Sequence, residues 1–118
     1  MSATREVGRH GEEVAVRWAS ERGWEVLARN WRCPHGEVDF VARDGRDLVI
    51  VEVKTRRSVR CGIPQEAVTP AKLARLRRLA AAWLAEDDAR YRDIRVDVIA
   101  VSLPPAGGAM VEHLRGVS

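Results

Sequence analysis

Leu48-Val-Ile-Val-Glu-Val-Lys54 decides how this sequence reads. A run this apolar and this rich in β-branched residues is a strand buried on both faces, at the centre of a sheet. It closes on two charges, Glu52 and Lys54. Side chains two apart on a strand share a face, so both project from one end of the apolar run.

Upstream, Asp44-Gly45 is a hairpin signal. It joins the run to a preceding strand, Glu37 to Arg43, which alternates with Val38, Phe40 and Ala42 on one face and Glu37, Asp39 and Val41 on the other. Trp24 to Ala28 alternates as a further strand, and Asn30 to Gly36, with Pro34 and Gly36, reads as a turn. Residues 3 to 22 carry Val7, Gly11, Val14, Ala15 and Trp18 on one helical stripe that ends at Gly23. Downstream, 55 to 62 is a basic loop. A second helical region spans Pro64 to Glu86, with a break expected at Pro70 and a stripe of Leu73, Leu76, Leu79, Ala80, Trp83 and Leu84. Ile94 to Leu103 is a strand, and Met110 to Leu114 a short edge strand. Short connections predict an antiparallel meander of three strands. The long helix allows a crossover to a parallel neighbour. The expected class is therefore α/β, a mixed central sheet flanked by helices.

The chain has 118 residues and a formal charge of +3, which suits one domain over 1–118 and permits a polyanionic partner without demanding one. Its basic charge is mostly arginine, suited to bidentate phosphate contact. Cys33 and Cys61 form neither a zinc pattern nor a disulfide framework. No stretch approaches a membrane span, and the N-terminal Met-Ser-Ala-Thr-Arg-Glu has no apolar run behind it. The expectation is a cytoplasmic protein with no membrane partner.

Glu37 and Asp39 on one strand face Glu52 and Lys54 on the next, so three carboxylates and an ammonium could converge. Phosphodiester hydrolysis uses such a set. Carboxylates hold a hard divalent cation such as Mg²⁺ or Mn²⁺, and a lysine orients water or stabilises developing charge. Cross-strand ion pairs at a sheet end would give the same pattern. Asp97, inside an apolar strand, reads as a satisfied structural acid rather than a catalytic one, and the four tryptophans as packing groups.

The order Gly-Glu-x-Asp, hairpin, apolar strand, Glu-Val-Lys matches the PD-(D/E)XK nuclease pattern. Further motifs run almost end to end. They are Gly8-Arg-His-Gly-Glu12, Arg29-Asn-Trp-Arg32, Gly36-Glu-Val-Asp-Phe-Val41, Val51-Glu-Val-Lys-Thr-Arg56, Gly62-Ile-Pro, Glu66-Ala-Val68, Lys72 and Arg95-Val-Asp-Val98. With these the chain resembles the YraN family of small uncharacterised bacterial proteins, which is similar to archaeal Holliday junction resolvases. Only Val38 and Phe40 depart from the usual isoleucine and leucine. The resemblance implies a restriction endonuclease-like fold, and a glutamate from the first helix in the metal site. By position in the Gly-Glu pair that residue is Glu12, although helical geometry alone does not separate Glu12 from Glu13.

The expectation is therefore a metal-dependent endonuclease or structure-selective DNA-processing protein. Asp39, Glu52 and Glu12 would hold the metal with the Val53 carbonyl, Glu37 would support them, and Lys54 would act on water or charge. Arg56, Arg57, Arg60, Lys72 and Arg75 would hold the nucleic-acid backbone. The competing expectation is a module that binds nucleic acid or protein and keeps the fold without turnover. A homodimer would suit a two-fold substrate, but nothing in the sequence requires one.

Overall fold

The computed structural model describes residues 3–57 and 69–117, with the backbone alone for residues 3–5. Arg60, Cys61 and the expected helical start at Pro64 lie outside the described residues. The elements are α1 (Ala3–Glu21), β1 (Glu25–Cys33), β2 (Gly36–Asp44), β3 (Asp47–Arg56), α2 (Pro70–Glu86), β4 (Asp93–Ser102) and β5 (Met110–Leu114). They build a five-stranded sheet in sequence order. β3 and β4 pair in parallel, and every other neighbouring pair is antiparallel.

β3 is apolar on both faces because a helix covers each. Val49 and Val51 pack with Ala15 and Ala19 of α1, Phe40, Ala42, Ile99 and Val101. Leu48 and Ile50 pack with Leu76, Leu79 and Ala80 of α2, Val38, Val41 and Val96. Continuing the alternation puts Glu52 and Lys54 on the α2 side and Val53 and Thr55 on the α1 side. Among the described residues no helix is long and apolar enough to cross a membrane.

Three expectations change. β1 does not stop at Ala28. It runs through Asn30 to Cys33, and the turn shrinks to Pro34 and His35. Asn30 looks like a turn residue because it adopts a left-handed φ of 51°, but it is absorbed as a kink inside the strand. Val38 and Phe40 do not share a face, since Val38 packs on the α2 side and Phe40 on the α1 side. The alternation breaks at Asp39, level with Asn30, between the register pairs Arg29↔Phe40 and Trp31↔Val38. Finally, Pro70 starts α2 instead of breaking a helix. It follows the N-cap Thr69, whose Oγ1 accepts from Lys72 N at 3.2 Å.

Gly11 sets how closely α1 approaches β3. A Cβ there would stand 1.9 Å from Thr55 Oγ1 and 2.8 Å from Thr55 Cβ. Gly11→Ala should therefore push α1 off the sheet end and destabilise the protein by about 1–3 kcal/mol, as overpacking does. Denaturant unfolding measures this, and an unchanged midpoint would show that the contact yields without consequence.

Candidate active site

The hairpin pairing of β2 with β3 extends from Asp44↔Asp47 only as far as Phe40↔Val51. One residue further the strands part, and the Asp39 carboxylate fills the gap. Its Oδ2 accepts from Val53 N at 2.7 Å, taking an N–H that a neighbouring strand would otherwise use. Asp39 thus lies at the level of the sheet itself, with Glu52 and Lys54 on the α2 side.

Gly11 lets α1 lie against Thr55, and the next residue, Glu12, comes within reach of Asp39. Burial first, and then the Glu12 charge and hydrogen bond, push the Asp39 carboxyl up to about 6, against the Val53 N–H and the Lys54 ammonium. Glu52 is also raised, first by burial and then by the Asp39 charge, with Lys54, Lys72 and Arg75 opposing. Lys54 Nζ lies 3.7 Å from Glu52 Oε1. Lys72 is lowered, first by its side-chain contact with Lys54 and then by burial, so two ammonium groups meet over Glu52.

Glu12, Asp39, Glu52 and Lys54 are therefore one electrostatic unit. Glu37 is not in it. Its carboxylate pairs with Arg32 Nε at 3.1 Å, while its carbonyl accepts from Arg75 at 3.3 Å. Of the two glutamates left open by helical geometry, Glu12 faces Asp39 and Glu13 pairs with Arg29 at 2.6 Å. Among the described residues no three His, Cys, Asp or Glu side chains are arranged, as they stand, to hold a metal ion. Asp39 meets Glu12 and Glu52 separately, without closing a trio.

The basic residues divide. Lys72 and Arg75 stand beside the acids, near the N-terminal end of α2. Arg57 is exposed just past β3. Arg56 is 16 % exposed and reaches Glu112 of β5 at 4.0 Å. Arg9, Arg29 and Arg32 line a groove of about 560 Å³ with Gly8, Asn30, Glu12, Glu13 and Glu37, and sequence reasoning gave them no role. Their sequence signals were the Gly8-Arg-His-Gly-Glu12 and Arg29-Asn-Trp-Arg32 motifs.

A model of the uncharacterised protein family UPF0102 matches residues 11–101, from the helix glycine at the cleft to the end of the parallel strand pair. A UPF0102 protein of Beutenbergia cavernae is 62% identical over 117 residues, covering 99% of each chain. One of Kineococcus radiotolerans is 58% identical over 113 residues, covering 95% of this chain and 93% of its own. One of Frankia alni is 54% identical over 116 residues, covering 98% and 97%.

Proposed function

We propose, from the premise that this chain belongs to the uncharacterised protein family UPF0102, that it is a metal-dependent nuclease-like protein hydrolysing phosphodiester bonds in DNA. The observation that carries this reading is Asp39, half-buried between Glu12 and Glu52 with its carboxyl at about 6, beside a lysine pair. A carboxylate whose charge is opposed by burial and by its neighbours favours a cation. The donor set is all oxygen, and it fits a hard divalent ion better than a soft one.

Asp39 and Glu52, with Glu12 and the Val53 carbonyl, would hold Mg²⁺ or Mn²⁺. Such an ion, when bound, supplies a more acidic water and neutralises phosphate charge. The chain's own groups account for the rest. The Val53 N–H fixes the Asp39 carboxylate in the strand gap. Glu52 holds the Lys54 ammonium over the same space, where it can donate to a phosphate oxygen as negative charge develops. Lys72, beside Lys54, adds a second positive charge and a second proton donor for the departing oxygen. A restriction endonuclease-like fold belongs to the same proposal. Asp39 on the second strand of a meander and Glu52-Val53-Lys54 on the third, followed by a crossover helix and a parallel strand, support it.

The deciding experiment offers duplex, single-stranded and four-way-junction DNA with Mg²⁺ or Mn²⁺. The protein should cleave at least one of them, and Lys54→Ala should be slower by about 10²-fold. Binding without cleavage under either metal would select the module. Equal cleavage by protein and variant would remove the site from the reaction.

A further inference from the structure

We propose that the groove between α1 and the β1–β2 hairpin is a track for the nucleic-acid backbone, with Arg29 and Arg32 as phosphate clamps that rest on Glu13 and Glu37 until substrate arrives. This rests on the nuclease-like reading for its substrate class.

Arg29 and Arg32 are three residues apart on β1, so a regular strand would send them to opposite faces. Both nevertheless line the same groove. The residue that allows this is Asn30, with φ of 51°. A non-glycine left-handed residue costs about 1–2 kcal/mol, so the kink needs a return, and such outliers gather at functional sites. Here the kink gathers two guanidinium groups onto the groove that contains Glu12, the acid facing Asp39. The groove therefore runs into the proposed reaction centre.

Both arginines already hold a carboxylate, the nearest protein mimic of a phosphate. Arg29 donates to Glu13 at 2.6 Å, and Arg32 Nε donates to Glu37 at 3.1 Å. Arg32 is 78 % exposed, and its pair lies in solvent. Exposed pairs of this kind contribute little stability, whereas an arginine fork on a phosphate can be bidentate. Exchange of carboxylate for phosphate is therefore easy. Three arginines and three glutamates line the groove, so it carries no net charge at rest. It would attract a polyanion only as these pairs open and free the guanidinium groups. The resting pairs thus act as competitors for the substrate backbone.

A structural ion pair and a clamp with a competitor predict different signs. If the pair is structural, Arg29→Gln and Glu13→Gln remove the same bond and act alike. If Arg29 is a clamp, the first variant weakens DNA binding and the second tightens it. The test is fluorescence anisotropy with labelled duplex DNA in EDTA across a salt series, with melting temperatures confirming the fold. Each lost phosphate contact lowers affinity about fivefold at physiological salt and reduces the salt slope by about 0.9. Arg29→Gln/Arg32→Gln should therefore bind about 30-fold more weakly, with a slope smaller by about 1.8. Glu13→Gln should bind a few-fold more tightly. Glu21→Gln, two helical turns along α1 and about 12 Å from Glu13, should change nothing.

Arginine variants that bind like the unmodified protein, or Arg29→Gln and Glu13→Gln shifting affinity in one direction, would overturn the track. Failure of the unmodified protein to bind DNA even at low salt would overturn both the track and the nuclease reading. Arginine-dependent binding with no cleavage under any metal would uphold the track and sink the nuclease reading alone.

Discussion

Replacing Asp39 by asparagine should make the ligand-free protein more stable at pH 8 while reducing DNA cleavage to background. The two effects have one origin. The Asp39 carboxyl is raised from near 3.8 to about 6, by burial first and by Glu12 second. Between those values the unfolded chain has already released the proton and the folded chain has not. The folded state then binds more protons, so stability falls as pH rises through the window. A shift of this size is worth up to about 3 kcal/mol, all of it lost above pH 6. Asparagine carries no charge, and its amide oxygen can still accept from Val53 N. The variant should therefore gain up to about 3 kcal/mol at pH 8 in EDTA, and the gain should shrink towards zero near pH 4. Urea unfolding at both pH values measures it. Mg²⁺ should raise the midpoint of the unmodified protein and leave that of the variant unmoved. A variant no more stable than its parent at pH 8 would mean that Asp39 holds no unfavourable charge, and the case for a cation there would fail.

What the sequence made legible was local. The apolarity of Leu48–Val51 and the Asp44-Gly45 turn are short-range signals, and together they set Asp39 against Glu52 and Lys54. The misses were of two kinds. Asn30 to Gly36 reads as a turn because it contains Pro34 and Gly36. Nothing local says that β1 runs on through Asn30 to Cys33, since that depends on pairing with β2. Pro70 reads as a break inside a helix, although proline straight after an N-cap such as Thr69 is a helix start. The rest lay beyond any window. Family resemblance favours Glu12, but helical geometry separates it from Glu13 only once α1 settles on Thr55 through Gly11. Glu13 meets Arg29 sixteen positions away, and Arg95 meets Asp44 fifty-one away. Ion pairs at such separations follow from the fold and leave no pattern in the chain.

Asp97→Ala should lower the unfolding free energy by about 3–5 kcal/mol. Asp97 is fully buried, yet its carboxyl stays below the usual range. Burial pushes it up, and three partners hold it down more strongly: His113 Nε2 at 2.7 Å, the Arg95 guanidinium at 3.1 Å and the Gly116 N–H at 2.9 Å. Arg95 is itself 7 % exposed and also reaches Asp47 at 3.1 Å and Asp44 at 2.9 Å. Its guanidinium lies 5.3 Å from the Trp24 ring, and His113 packs edge-on against Trp18 and Trp24. One carboxylate thus fastens β4, β5 and the C-terminal tail to the α1 side of the sheet. Alanine would leave the buried Arg95 guanidinium short of a partner and remove the acceptor of the Gly116 N–H. The pH dependence has the opposite sign to that of Asp39. The stability from Asp97 is present above the ordinary aspartate value and is lost as pH falls through its lower folded value. Replacing both charges at once is milder, because neither Arg95 nor Asp97 is left facing a missing partner, and Asp47 keeps Arg92 at 3.0 Å. Arg95→Met/Asp97→Leu should therefore cost less than the sum of the single changes. Cleavage per folded molecule should be unchanged, since the network touches none of Glu12, Asp39, Glu52 or Lys54. Urea midpoints for the two single variants and the double decide the matter. Strict additivity would show that the buried charges act independently, and that Asp97 does not hold this corner of the fold through Arg95.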